Sequence, residues 1–329
     1  MLHKPAVLAV ALAGALGGCD LVYGLERPVQ QTVCGSFGDE EPLAFGEELM
    51  DVTDFSFNGA VTRGFVHATV EVEGVARTGP VPVVLDDGAW VYDPAFESNW
   101  RTLVDGDRIV VARMARDNDL FVSQRFTSNP PTLHVFHYGY RDVPGQGQKW
   151  VQIELNEIGA ASASDLYPGG ELSEVVPGSM PPVTYDFLPV FRFDQVTQAR
   201  TVGLALRAPN AERWEAQELI GGVSSTEPIN EQHQPWSGAL ARTPEGRQVL
   251  IYAATPDGSS ENSDLYIAEK RSGGFLQGVP LASFNTEDEE LEPWVSEDCT
   301  KITFRRTERG SPFAGEARSG GTIFMAQIK

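Results

Sequence analysis

Apolar and polar residues alternate along most of this chain in runs too short for helices and spaced for strands. Phe65-Val66-His67-Ala68-Thr69-Val70, Arg108-Ile109-Val110-Val111, His134-Val135-Phe136-His137, Val202-Gly203-Leu204-Ala205-Leu206, Val249-Leu250-Ile251-Tyr252 and Ile302-Thr303-Phe304 are β-rich, and turn residues bound each of them. Helical periodicity is nearly absent, so the pattern predicts an all-β chain of many strands.

Two segments near the C-terminus repeat one another. Thr243-Pro244-Glu245-Gly246-Arg247-Gln248-Val249-Leu250-Ile251 and Ser296-Glu297-Asp298-Cys299-Thr300-Lys301-Ile302-Thr303-Phe304 share a hydroxyl residue, an acidic tight turn, two polar residues and a strand. Each leads, after a variable loop, into a second strand: Asp264-Leu265-Tyr266-Ile267-Ala268 or Thr322-Ile323-Phe324-Met325-Ala326. Similar junctions at Asn58-Gly59, Asp105-Gly106, Gln146-Gly147 and Gln198-Ala199 give successive spacings of 47, 41, 52, 47 and 53 residues. That period predicts a β-propeller of six blades, each of about four antiparallel strands, over residues 43–329. A second register pairs an aromatic with a following Leu: Trp150 with Leu155, Trp214 with Leu219, Phe275 with Leu281. Rings at equivalent positions suit the apolar layer between blades better than a ligand platform.

The C-terminal third resembles the TolB-type periplasmic propeller repeat, in Pro293, Ser296, Asp298 and Phe304 of one copy and in Thr243-Pro244-Glu245-Gly246 with Asp264-Leu265-Tyr266 of another. Glu297 stands where that repeat has Pro, and Cys299 where it has Gly. The resemblance implies a six-bladed lipoprotein of the bacterial cell envelope that binds rather than reacts.

Lys4, the apolar run Ala6 to Ala15 and Leu16-Gly17-Gly18-Cys19 have the layout of a lipoprotein leader over residues 1–18. The run is too short to span a bilayer before Asp20 ends it. Cys19 is then the lipidated first residue, residues 19–42 a tether, and the expected location the cell envelope, at the inner or outer membrane, facing periplasm or cell surface. Once Cys19 is spent, Cys34 and Cys299 remain, 265 residues apart. They form either a bridge closing the whole domain or two separate buried thiols.

The net charge of −21 disfavours phosphate backbones, and no basic cluster offsets it, so nucleic acid is not an expected partner. No nucleophile elbow, zinc-protease helix, Walker loop or dinucleotide glycine motif occurs. His134 and His137 fall on opposite strand faces and cannot easily share a metal, and His67 and His233 have no companion nearby in sequence. Asp257, Glu261 and Asp264 space oxygen ligands as calcium loops do, without the rest of a known pattern. The acidic stretch Asn285 to Glu292 reads as a solvated hairpin loop. Two functions follow. The first is a lipid-anchored scaffold, not an enzyme and without cofactor, that binds an envelope protein, peptide or glycan. The alternative is a propeller hydrolase, a calcium-assisted lactonase or glycan-cleaving enzyme, whose mark would be three or more Asp, Glu, His or Asn side chains converging at a channel mouth.

Overall fold

A computed structural model describes residues 34–35, 37–97, 99, 109–115, 119–153, 158, 164–176, 183–208, 211, 214–216, 227–256, 263–271, 274–308 and 321–327. Five antiparallel sheets follow one another around a ring. After β1 (Glu41–Pro42), blade 1 comprises β2 (Leu49–Met50), β3 (Phe55–Phe57), β4 (Arg63–Val72), β5 (Val75–Asp86) and β6 (Ala89–Tyr92), with the short helix α1 (Pro94–Glu97) behind it. Blade 2 comprises β7 (Ile109–Met114), β8 (Asp119–Phe126), β9 (Thr132–Val143) and β10 (Gly147–Gln152). Blade 3 holds β11 (Ser164–Pro168), β12 (Leu172–Val176), β13 (Val183–Asp194), β14 (Arg200–Arg207) and β15 (Glu215–Ala216). Following α2 (Glu227–Gln232), blade 4 holds β16 (His233–Arg242), β17 (Gln248–Pro256), β18 (Asp264–Arg271), β19 (Gly274–Phe275) and β20 (Val279–Pro280). Blade 5 holds β21 (Glu289–Val295), β22 (Lys301–Thr307) and β23 (Thr322–Gln327), and β1 supplies its fourth strand.

The propeller is confirmed, but with five blades in place of the expected six. The reason lies in which turns were equated. Asn58-Gly59, Glu245-Gly246 and Asp298-Cys299 each join the first strand of a blade to its second. Gln146-Gly147 instead joins the third and fourth strands of blade 2, and Gln198-Ala199 the second and third of blade 3. Asp105-Gly106 lies outside the described residues. Tight turns at different places in the blade had been counted as one repeat.

The aromatic register carries the true period. Trp150, Trp214 and Phe275 sit at the outer edges of blades 2, 3 and 4, all buried against the preceding blade, and Trp90 does the same in blade 1. The intervals are 60, 64 and 61 residues. Each apolar cluster corresponds to one or two seams. Phe65, Phe96, Met114 and Trp150 fill seam 1–2, while Phe121, Val135, Leu166 and Trp214 fill seam 2–3. Phe191, Val202, Leu250 and Phe275 fill seam 3–4, and one continuous cluster lines both faces of blade 5. Truncating one such ring costs roughly 3–5 kcal/mol. At seam 3–4 the innermost strands also touch directly: Gly170 N–H donates to Gly238 O at 3.0 Å and Leu240 N–H to Gly170 O at 2.9 Å. A Cβ on Gly169 would sit 2.4 Å from Gly238 O, so only glycine permits this approach.

Closure of the ring joins the chain's two ends. β1 pairs with β23, Gly38 N–H donates to Gln327 O, and Phe37 packs on Phe284 with ring centroids 5.3 Å apart. The Arg306 guanidinium holds Glu40 on one side and Glu290 on the other, at 2.8 Å for Glu290, and donates to Phe284 O. Cys34 and Cys299 are bonded, with Cα atoms 5.6 Å apart. Cys299 takes a left-handed conformation, φ 58°, in the turn slot where glycine would be unstrained. Its retention there is explained by the bond. Because this bridge closes a loop of 265 residues, replacing both cysteines by Ala lowers the unfolding free energy by roughly 2–5 kcal/mol in urea titration. Unchanged stability would mean that the bond does not hold the ring shut.

Candidate functional site

Every innermost strand is interrupted. In blade 1 the strand breaks over Asp51 to Asp54, between β2 and β3, with Asp51 at φ 53°. Pairing shifts between Ile109 and Val111 in β7 and between Pro235 and Ser237 in β16, and Gly169 to Glu171 separate β11 from β12. In β21 it shifts between Leu291 and Trp294, with Glu292 at φ 53°. Irregularities of this kind re-aim side chains and recur beside active sites.

Here they bring charged groups of blades 5, 1 and 2 together. Asp54 Oδ2 meets Arg113 Nη2 of β7 at 3.1 Å, and Arg113 lies over the Trp294 ring at 5.8 Å. Trp294 Nε1 donates to Phe57 O at 3.0 Å, fastening blade 5 to blade 1. Glu292 pairs with Arg305 Nε at 3.2 Å. His67, on the neighbouring strand β4, exchanges backbone hydrogen bonds with Thr53 and Asp54. Burial holds its imidazole below the usual histidine range, Glu292 opposes that shift and Arg305 reinforces it. His67 is therefore neutral at pH 7 and within electrostatic reach of Glu292. Side-chain exposure rises from 1% at Arg305 and 5% at Arg113 to 13% at Asp54 and 27% at Glu292, so in each pair the carboxylate is the more exposed partner. Among the described residues, Asp54 Oδ1 and Arg113 Nε and Nη1 are buried with no hydrogen-bond partner. Leaving such a group unmet costs roughly 1–3 kcal/mol.

At one mouth of the channel, Gly59, Arg242, Thr243, Pro244, Glu297 and Asp298 line a cavity of about 410 Å³. These are the turns that follow the inner strands of blades 1, 4 and 5. Burial raises the Asp298 pKa, but hydrogen bonds from Ser296 and Thr300 outweigh it and leave the carboxyl below its usual range. Glu245 occupies the corresponding turn of blade 4, where Thr243 lowers its pKa in the same way. Asp298 is thus a turn-forming residue that happens to line the cavity. Arg242 is engaged as well, its Nη2 donating to Ser173 O at 2.7 Å.

The residues singled out from sequence fare differently. Cys34 and Cys299 are joined, whereas Cys19, Asp257 and Glu261 lie outside the described residues; Asp264 opens β18. Among the described residues no three His, Cys, Asp or Glu side chains are placed to hold a metal ion. The acidic stretch is corrected: its second half is the inner strand β21, with Glu289 and Glu290 fully buried, because Arg306 and Arg305 of β22 supply the countercharges for Glu290 and Glu292. His134 and His137 do face opposite ways, His134 bonding Thr132 and His137 buried in seam 2–3. Trp214 Nε1 donates to His137 Nδ1 at 3.3 Å, so Nε2 carries the proton and donates to Asp119 at 3.0 Å, with Arg141 on the same carboxylate. His233 Nδ1 meets the Tyr252 hydroxyl at 2.8 Å. The sequence pattern did not single out Asp54 or Arg113, and placed Glu292 only at the end of a solvated acidic loop; the available signal was the polar break after Leu49-Met50 and the Glu-Pro step inside an apolar strand.

No protein-family model matches the sequence, and no curated protein matches it, so the TolB-type resemblance gains no family match. Solved structures are similar in fold. A protein of unknown function from Dyadobacter fermentans is 9% identical with TM-score 0.46, covering 89% of this chain and 99% of its own. An endo-arabinase from Bacteroides thetaiotaomicron is 11% identical with TM-score 0.47, covering 88% and 98%. The α-L-arabinofuranosidase PaAbf62A from Podospora anserina is 11% identical with TM-score 0.45, covering 87% and 94%. Such likeness speaks to the propeller fold alone. It nevertheless corrects one expectation: two of these three propellers are enzymes by name, so the step from propeller to non-catalytic scaffold does not hold, and the reading of this chain as no enzyme is withdrawn.

The His137 network makes seam 2–3 acid-sensitive. Burial lowers the His137 pKa, against the pull of Asp119, so its contribution is present above the ordinary histidine value of 6.5 and is lost as pH falls below it. Burial raises the Asp119 pKa, but His137 and Arg141 overcome this and lower it, adding a loss at more acidic pH. Between pH 7.5 and 5.5 the melting temperature of His137→Gln falls less than that of the wild type; an equal fall would clear His137 of the effect.

Proposed function

We propose that this chain is a lipid-anchored propeller hydrolase of the cell envelope that cleaves glycosidic bonds in a recess where the inner strands of blades 5, 1 and 2 adjoin. The observation that carries the reading is that two ion-paired carboxylates stand at breaks in the inner strands of neighbouring blades, Asp54 with Arg113 in blade 1 and Glu292 with Arg305 in blade 5, with His67 within electrostatic reach of Glu292 and Arg113 over Trp294. Glycoside hydrolysis asks only for two carboxyl groups flanking the bond, and needs neither a nucleophile motif nor a metal. That requirement fits a chain whose other hydrolytic motifs are missing. In such a reaction the bond from the anomeric carbon to the leaving oxygen breaks, and one carboxyl gives its proton to that oxygen. A water oxygen joins the anomeric carbon while its proton passes to the other carboxylate, so the pair ends with one proton as it began. Asp54 and Glu292 divide these roles. The leader pattern over residues 1–18, followed by Cys19, supports the location, and the bonded Cys34–Cys299 pair fits an oxidising compartment.

Release of reducing ends from a panel of envelope, plant and fungal polysaccharides tests the reading. Asp54→Asn and Glu292→Gln each lower the rate by about 100-fold or more while circular dichroism stays unchanged. Lack of release from every member of the panel, or variants as active as wild type, would overturn it.

A further inference from the structure

The geometry points to the bilayer as the neighbour of one end of the ring: the channel mouth lined by Gly59, Arg242 and Asp298 faces the membrane, and the Cys34–Cys299 bond sets that orientation. The inference rests on the reading of the chain as lipid-anchored at Cys19. Inner strands run toward this mouth, and the turns Asn58-Gly59, Glu245-Gly246 and Asp298-Cys299 that follow them lie there. Hairpins joining second and third strands stand at the opposite end: Glu73-Gly74 between β4 and β5, residues 127–131 between β8 and β9, residues 195–199 between β13 and β14.

The described chain begins at the mouth, with Cys34 bonded to the residue that follows the cavity-lining Asp298. Its next ties are those of Phe37 to Phe284 and of Gly38 N–H to Gln327 O, before β1 forms the outer edge of blade 5. The bond therefore moves the point of attachment from the outer strands of blade 5 to its innermost turn, beside the channel axis.

Lengths decide which end that attachment turns to the membrane. From position 19 to position 34 the chain has 15 steps, which stretch to about 50–54 Å at most and span about 20 Å when relaxed. To present the opposite end to the bilayer, the segment must cross the four strands of blade 5, about 14 Å, and then climb past the tallest strands. β4 has 10 residues and β5 has 12, roughly 33–40 Å at about 3.3 Å per residue. That route uses the whole stretched length, whereas presenting the mouth needs only the relaxed one. With the bond removed, 19 steps lead from Cys19 to Gly38, about 63–68 Å stretched, and start from the outer strands, so both orientations come within reach.

Charge does not reverse this preference. Glu245, Glu297 and Asp298 stand at the mouth, and an anionic leaflet repels them only within a Debye length of about 8 Å. Repulsion thus holds the mouth off the headgroups without turning the ring over. The end bearing exposed Val75, Phe126 and Val196 is then the one that a glycan meets first.

Resonance energy transfer tests the orientation on the full lipidated chain in vesicles of phosphatidylethanolamine and phosphatidylglycerol that carry a headgroup-linked acceptor dye. The donor dye sits on Ala60→Cys at the mouth end or on Val75→Cys at the other, both exposed positions of blade 1. Transfer from position 60 exceeds transfer from position 75 by about twofold or more, as a separation of one strand length requires. Adding Cys34→Ala and Cys299→Ala to either labelled chain removes most of the difference. Equal or reversed transfer in a chain whose N-terminal mass shows acylated Cys19 would overturn the inference and leave the anchor standing, and so would an undiminished difference without the bond. An unacylated Cys19 would overturn the anchor and the inference together.

Discussion

A ring of sheets stays shut only if its first and last segments are held together, and here the last blade takes its fourth strand from the other end of the chain. Pairing of β1 with β23 is therefore the contact on which the others depend. Seams between blades are filled by large rings at intervals of about 60 residues, but a seam can be filled only if both of its blades are held in place. The apolar cluster on both faces of blade 5 is where this condition is met, and three unlike devices secure it: a strand pair, the Arg306 clasp on Glu40 and Glu290, and the Cys34–Cys299 bond.

The same closure shapes the recess. Blade 5 is the blade completed by the N-terminus, and it contributes Glu292 and Trp294; blade 1, its neighbour across the closure, contributes Asp54 and His67. Trp294 links them by donating to Phe57 O. The two carboxylates thus belong to opposite ends of the chain and stand on neighbouring blades only because the ring shuts.

Much of the fold was legible in the alternating runs and much of the site was not. Strands were readable because each buries one face, and Val249–Tyr252, Ile302–Phe304 and Asp264–Ala268 all lie within strands of the structure. The blade count went astray because Gln146-Gly147 and Gln198-Ala199 have the same turn chemistry as Asn58-Gly59, and turn chemistry records a local backbone need, not a place in the blade. Trp150, Trp214 and Phe275 held the right period, since an inter-blade ring has one place to go. The acidic segment before Trp294 misled for a different reason: the cations that neutralise it, Arg305 and Arg306, stand on the next strand, and a linear reading does not bring them alongside. Asp54 and Arg113 are 59 residues apart and have no motif between them.

The central claim is that the interrupted inner strands of blades 5, 1 and 2 build a sugar-binding recess around Asp54, Arg113 and Glu292. Its most direct test is a crystal structure of the Glu292→Gln variant soaked with a neutral oligosaccharide that it binds. Sugar density in the recess, within hydrogen-bond distance of the Asp54 carboxylate or of the substituted side chain at position 292, is the result expected. Density confined to the mouth cavity beside Arg242 and Glu297, away from both of these groups, would contradict the account.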